Sequence, residues 1–189
     1  MPRDTRLHSH NIISKKTSSP TINLVGLFIY IDMITIKPDA QIQAKFGHVV
    51  DFDVLSAIYS LMYDSFSKSK RKIDYVITLK YTKGGWSYYG FQKKRRNIRI
   101  NISEDISSTN VFQATVLHEF RHFVQDRIFK VSWGMEEYDD STLFSYKNSP
   151  AEVDALTFDK LLGRKVIRLH NRMKKVKSEY KKFDRYNRF

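Results

Sequence analysis

The spacing of hydrophobic positions changes several times along the chain, and each change predicts a new element. Residues 22–37 would be apolar on both faces of an extended chain and are followed by Pro38, which predicts a buried strand. In residues 49–66, hydrophobic side chains recur every three or four positions, which predicts an amphipathic helix. The chain therefore combines strands and helices.

Two later segments also predict strands. IDYVITLKYT (73–82) and NIRINIS (97–103) are rich in β-branched residues or alternate between apolar and polar positions. The glycines at 84, 85 and 90 interrupt the stretch between them, which favours an antiparallel hairpin or meander. We therefore expect a small, mostly antiparallel sheet.

A second helix is predicted from about Asn110, which suits an N-cap, to about Phe129, because no Gly or Pro interrupts this stretch. At about 100° per residue, His118, His122 and Gln125 lie within about 60° of one another on it. Hydrophobic residues cover most of the remaining circumference, so the helix should be buried nearly all round. Its buried imidazoles then need partners, because an unpaired buried polar group is costly.

The last third of the chain predicts more helix. In SPAEVDALTFDKLL, Ser149 suits an N-cap and Pro150 the first helical position. From residue 162 onward, apolar side chains are spaced alternately by four and three residues over about three heptads. This seam should pack on the domain or on a copy of itself. Its members are Leu162, Val166, Leu169, Met173, Val176, Tyr180 and Phe183.

Composition excludes several classes of protein. Hydrophobic residues make up 41% of the 189, enough to bury a core. The absence of cysteine excludes disulfides, thiolate nucleophiles and cysteine-based zinc sites, and it suits the reducing cytoplasm, where we expect this protein. The longest apolar run, 24–36, is shorter than the roughly 20 residues of a spanning helix and contains Asp32, so we expect no transmembrane segment.

The net charge of +13 is concentrated near the C-terminal end. Residues 164–189 contain eleven Lys and Arg against Glu179 and Asp184, which accounts for +9 of the total. A field of this sign attracts polyanions such as nucleic acid, an anionic membrane surface or an acidic partner. The alternative is a solvated surface that binds none of them.

The polar face of the second helix carries a catalytic pattern, His118-Glu119-x-x-His122. Two histidines one helical turn apart can bind one Zn²⁺, and the intervening glutamate can act as general base toward a metal-activated water. The alternative is a pair of core histidines that bond to backbone or carboxylate groups. The complete pattern on a helix favours the metal site.

A catalytic zinc needs a third protein ligand. Glu152 lies in the first turn of the next predicted helix, although with Ser149 it also fits a capping box, S-x-x-E. Glu136 and Glu137 lie in a predicted loop and are weaker candidates. We favour Glu152 as the ligand, and we interpret Asp154 as a helix-start charge or a group that supports the ligands.

These segments resemble a known family. NIRINIS, HEFRHFVQ and SPAEVDA are similar to the strand, active-site helix and glutamate helix of small gluzincin metallopeptidases, including minimal domains of the ImmA/IrrE kind. In that group the strand before the helix is a sheet edge that binds extended peptide. The resemblance covers about residues 50–162 and implies His118, His122 and Glu152 as zinc ligands with Glu119 as the base.

The chain also departs from related patterns. The thermolysin pattern has Asp four residues after its glutamate ligand, where this chain has Leu156. SprT-like proteases use a third histidine, which only His170 could supply, and the residues around it do not match. Gln125 extends the motif to HExxHxxQ, a feature of several small zincins to which the sequence assigns no role.

The sequence thus predicts an α+β fold: a compact zincin-like domain with an N-terminal helix, a small mostly antiparallel sheet, a buried HExxH helix and a glutamate-bearing C-terminal helix. We divide the chain into a flexible segment (1–20), the metallopeptidase domain (21–163) and a basic amphipathic helical tail (164–189). The predicted function is a zinc-dependent endopeptidase acting on a protein or peptide. The alternative is a non-catalytic basic protein on a zincin scaffold that binds nucleic acid or serves in another interaction. The intact Glu119 favours the enzyme.

Overall fold

The computed structural model describes residues 34–67, 73–84, 87–90, 96–130 and 149–186. Within them the fold is α+β, as predicted, with four strands and four helices. The predicted flexible segment 1–20, the first part of the strand predicted from residue 22, and the candidates Glu136 and Glu137 lie outside the described residues. The elements are β1 (Ile34–Pro38), α1 (Ala40–Phe46), α2 (Phe52–Phe66), β2 (Tyr75–Thr82), β3 (Tyr88–Gly90), β4 (Asn97–Ser103), α3 (Thr109–Arg127) and α4 (Pro150–Tyr186).

The sheet has the strand order β1-β2-β4-β3. Its β1–β2 and β2–β4 pairs are parallel, and its β3–β4 pair is antiparallel. The prediction of a mostly antiparallel sheet is therefore wrong. Residues 83–96 are long enough for the chain to reach the far edge, form β3 and return, so that β4 is inserted between β2 and β3. The strand before the HExxH helix is thus internal rather than an edge.

The two edges of the described sheet differ. On the outer side of β1, the N–H of Ile34 donates to the buried Ser60 hydroxyl at 3.0 Å, and the N–H of Ile36 donates to the buried Ser56 hydroxyl at 2.8 Å. Helix α2 carries both serines, so it closes that edge. Among the described strands, β3 forms the opposite edge, and it packs against α3.

Helices α2 and α3 pack together through aromatic rings. Tyr59 lies against Phe120 with ring centroids 4.5 Å apart, and Tyr63 lies against Phe123 at 5.7 Å. The branched side chains of the sheet complete the same core, as in the row of register partners Ile36, Ile77 and Ile98. This packing fixes α3 in the centre of the domain, where its polar side chains are held in place by their surroundings.

Helix α4 runs without a break through the boundary predicted between residues 163 and 164. Its inward face is set by Val166, His170 and Met173, which are 6%, 0% and 1% exposed. The seam prediction is only partly right, because Leu169 is 38% and Tyr180 51% exposed. A heptad repeat drifts relative to the 3.6 residues per turn of a straight helix, so His170 faces the domain instead of Leu169.

Polar contacts fix α4 to the start of α2. The backbone N–H of Asp51 donates to Nε2 of His170 at 3.1 Å. Lys177 bridges two carboxylates, at 2.9 Å from Asp51 and 2.8 Å from Asp53. Lys174 donates to the carbonyl of Val49 at 2.9 Å. The division of the chain at residue 163 stays a prediction, but the helix on either side of it contacts the domain.

Candidate metal centre

Helix α3 carries the HExxH pattern, and of its 19 residues ten are buried, seven are half-buried and only Asn110 and Val111 are exposed, so it is covered on most sides as predicted. It begins at Thr109 with Ser108 as N-cap, slightly before the predicted Asn110, and ends at Arg127. Because α3 is packed on most sides, His118 and His122 project into a narrow polar gap between α3 and the first turn of α4.

Three side chains meet in this gap. The Nε2 atoms of His118 and His122 are 3.2 Å apart. Glu152 reaches both of them, with Oε2 at 3.2 Å from His118 Nε2 and Oε1 at 3.0 Å from His122 Nε2. The structure therefore brings together the three residues predicted as ligands, although Glu152 follows His122 by 30 residues and lies on another helix.

The size of this triangle suits a small metal ion. A tetrahedral zinc with bonds of about 2.0–2.1 Å holds neighbouring ligand atoms about 3.3–3.4 Å apart. The three donor separations of 3.0–3.2 Å fall just below that range. Among the described residues, the set that could hold a metal ion is two imidazoles and one carboxylate, side chains that zinc accepts as ligands. The residues present therefore fit a zinc ion.

The site opens on the His118 side. The side chain of His118 is 17% exposed, whereas those of His122 and Glu152 are 5% and 8% exposed. Of the three side chains, His118 is therefore the one that solvent reaches most readily. Burial on the other side excludes water from the His122–Glu152 pair and strengthens the electrostatic interactions there.

The pKa of His122 lies above its ordinary value. Burial is the largest influence and lowers this pKa, but the hydrogen bond to Glu152, the charge of Glu119 and the bond to Gln125 together outweigh it. The same negative groups that favour a proton on His122 favour a metal cation in its place. Protons and metal therefore compete for this site.

Glu152 contacts both Ser149, as in a capping box, and the two histidines, as expected of a ligand. The Ser149 hydroxyl accepts from the Glu152 N–H at 3.3 Å, so the serine half of the capping box is present. The two carboxylate oxygens of Glu152 lie beside the two histidines. The N-cap predicted at Ser149 and the first helical position predicted at Pro150 are confirmed.

Gln125 supports His122 from behind. Its Oε1 lies 2.9 Å from His122 Nδ1, and its Nε2 donates to the Ala151 carbonyl at 3.1 Å and to Asp154 Oδ2 at 2.7 Å. These two acceptors fix which end of the amide is nitrogen. The amide oxygen then faces Nδ1, so Nδ1 carries the hydrogen and the Nε2 lone pair points to the gap.

Arg121, one of the two variable positions of HExxH, closes this network. It bonds Asp154 through two nitrogens, Nε at 2.7 Å and Nη2 at 3.1 Å. Its guanidinium also lies 4.9–5.4 Å from three aromatic ring centroids. Bonds from Arg121 and Gln125 lower the pKa of Asp154 although burial, the largest single influence, raises it. The rings are those of Phe66, Phe129 and Phe158.

Other predicted residues lie elsewhere or beside the ligands. Glu119 is buried, at 4% exposure, and close enough for its charge to raise the pKa of His122. His170 bonds Asp51 and is not part of the cluster. Leu156, at the position of the thermolysin aspartate, is 39% exposed. Asp159, which no sequence motif indicated, lies near His118: burial raises the pKa of Asp159, and the charge of His118 lowers it in part.

Comparisons with protein-family models, curated proteins and solved structures found no match for this chain. In the part of the chain that the structure describes, no helix is both long and apolar enough to cross a membrane.

Proposed function

We propose that this protein is a zinc-dependent endopeptidase of the gluzincin type. The observation that carries the proposal is the convergence of His118, His122 and Glu152 in one triangle of donor atoms. Two imidazoles and one carboxylate are a ligand set of zinc peptidases. The zinc would supply a Lewis acid and lower the pKa of the attacking water toward 7.

The remaining chemistry falls to groups of the chain. Glu119 takes a proton from the attacking water and passes it to the leaving amine, because it follows His118 directly on α3 and its charge acts on His122. Gln125 holds His122 in the tautomer whose Nε2 is a ligand. Arg121 and Asp154 hold the start of α4, and with it Glu152, against α3.

The substrate we propose is an extended peptide or an unfolded segment of protein. Strand β3 forms the edge of the described sheet and contacts α3, the helix that carries His118, so a peptide can add to this edge by backbone hydrogen bonds. The peptide-binding edge is then β3 and not the strand directly before the helix.

The test is hydrolysis by the purified chain. The zinc-loaded protein is incubated with an unfolded protein, and the products are identified by mass spectrometry. Glu119→Gln should retain zinc and lower the rate by about 10²- to 10⁴-fold, the usual contribution of a general base. The matched control is Glu104→Gln, since Glu104 is exposed. Equal rates for Glu119→Gln and wild type would show that the activity does not come from this site.

A further inference from the structure

Helix α4 has an outer face that the metal site does not use. Ten of the residues between 160 and 182 are Lys or Arg, and Glu179 is the one acidic residue among them. Lys174 and Lys177 turn inward to bond groups at the start of α2. The other eight basic side chains are exposed.

Most of these exposed charges form one stripe. At about 100° and 1.5 Å per residue, six of them lie within an arc of about 120° and extend about 33 Å along the helix. The inward residues Val166, His170 and Met173 are on the opposite side. We call this stripe the basic face; it consists of Lys160, Arg164, Arg168, Arg172, Lys175 and Lys182.

The basic face is kept in place by the contacts on the other side of the helix. His170 and Lys177 fix the middle of α4 to Asp51, so the basic face cannot rotate inward without breaking those bonds. Beyond them, all the described side chains from 178 to 182 are exposed, so this end of the helix projects from the domain. Glu179 is paired with Lys175 at 3.9 Å, an exposed pair of little energetic weight.

We propose that the basic face binds duplex DNA through its phosphates. A row of cations on a rigid helix neutralises a polyanion without reading its sequence. A projecting helix fits the major groove of B-form DNA, which is about 12 Å wide, whereas the major groove of A-form RNA is deep and narrow.

Other polyanions fit this face less well. A helix that lies on a membrane inserts an apolar face. Within the arc that the basic face covers, Leu161 is the one hydrophobic residue among residues 160–182. Single strands are held by stacking on aromatic rings, and the exposed Tyr180 lies outside the basic arc. Of membranes and nucleic acids, a double helix with accessible phosphates therefore fits this face best.

The position of Glu152 separates DNA binding from catalysis. Glu152 lies on the inward side of α4, on the same side as His170, so bound DNA would contact the surface turned away from the metal centre. The DNA is then a support on which the protein is held and not its substrate. DNA binding should therefore be independent of zinc and of Glu119.

The probe is a fluorescent 30-base-pair DNA duplex, titrated with the full chain at several salt concentrations. We expect log affinity to fall with log salt with a slope of about −4 to −5, as for about five neutralised phosphates. Arg168→Glu with Arg172→Glu should weaken binding about tenfold or more and reduce the slope by about 2. Arg168→Gln with Arg172→Gln should produce a smaller loss in the same direction.

The matched control is Lys37→Glu with Lys80→Glu, which changes net charge equally at two exposed sites of the sheet. It should change affinity less than about twofold. Chelation of zinc and Glu119→Gln should leave affinity unchanged. Equal losses in both charge-reversal pairs, equal affinity for duplex RNA of the same sequence, or tighter binding to vesicles rich in phosphatidylserine would overturn the proposal.

Discussion

The Nδ1 atom of His122 lies 2.9 Å from the Oε1 atom of Gln125, and this contact ties the candidate metal centre to the interface between α3 and α4. The same glutamine donates to Ala151 and Asp154 at the start of α4. One side chain therefore sets the tautomer of one ligand and holds the helix that carries another.

Gln125→Leu should weaken zinc binding by about 10- to 100-fold, the usual effect of removing a group that orients a histidine ligand. The measurement is competition with a chromophoric chelator. Gln113→Leu is the matched control, because Gln113 lies on the same helix and is 2% exposed, against 3% for Gln125. Equal zinc affinity in both variants would mean that His122 needs no support from Gln125.

His118→Ala and His122→Ala should each abolish stoichiometric zinc binding, since two protein ligands do not hold zinc tightly. Metal analysis of the purified variants measures this directly. His48→Ala should retain about one zinc per chain, because His48 is exposed and outside the cluster. Full zinc content in both cluster variants would contradict the assignment of the ligands.

Glu152→Gln and Ser149→Ala separate the two functions of the start of α4. Glu152→Gln should lose zinc affinity because Gln supplies no charge, but it should keep the metal-free fold because the bond from the backbone N–H of residue 152 to Ser149 remains. Ser149→Ala should bind zinc as wild type does and lose about 1 kcal/mol of stability. If Glu152→Gln binds zinc normally, the third ligand lies outside the described residues, with Glu136 and Glu137 the first to be changed.

The stability of the fold should fall in mild acid because of His170. Burial lowers the pKa of this side chain more than its bonds to Asn171 and Asp51 raise it. The unfolded chain therefore takes up the proton first as pH falls. The stability that neutral His170 contributes is fully present above its unfolded pKa of about 6.5 and is lost as pH falls through the lower folded value.

The measurement is the free energy of unfolding of the metal-free protein at several pH values between about 7.5 and about 5. This range includes the pKa of a histidine in the unfolded chain, about 6.5. His170→Gln should show a shallower decrease than wild type, while His48→Gln should match wild type. His122, whose raised pKa acts in the opposite direction, is present in all three proteins and cancels in the comparison. Identical pH dependence in the three proteins would rule out His170 as the cause.

Local signals in the sequence account for what could be predicted. The period of hydrophobic residues located α3, and the one-turn spacing of His118 and His122 placed them on a common face. Ser149 and Pro150 marked the start of α4, and this placed Glu152 in its first turn. Each of these inferences depends on residues less than about two helical turns apart, a range over which backbone geometry is fixed.

Features that depend on distant residues could not be predicted. Strand β4 lies between β2 and β3, and the period of hydrophobic residues in a strand does not indicate which strands will be its neighbours. The role of Gln125 depends on Asp154, 29 residues away, on another helix. In the sequence, the HExxHxxQ spacing was the one indication that Gln125 lies near the histidines. Likewise, the inward orientation of His170 depends on its hydrogen bond with Asp51, a residue 119 positions away in sequence.

The two buried serines of α2 also decide how copies of this protein can associate. In the part of the chain that the structure describes, the Ser56 and Ser60 hydroxyls occupy the N–H groups of β1, so β3 alone can accept another strand. Among the described strands, pairing between two molecules through β3 then ends at a dimer, because α2 covers the outer side of β1 in both of them. Loss of both hydroxyls would leave two N–H groups of β1 without these acceptors, and a second pairing through β1 would extend the dimer into a fibre.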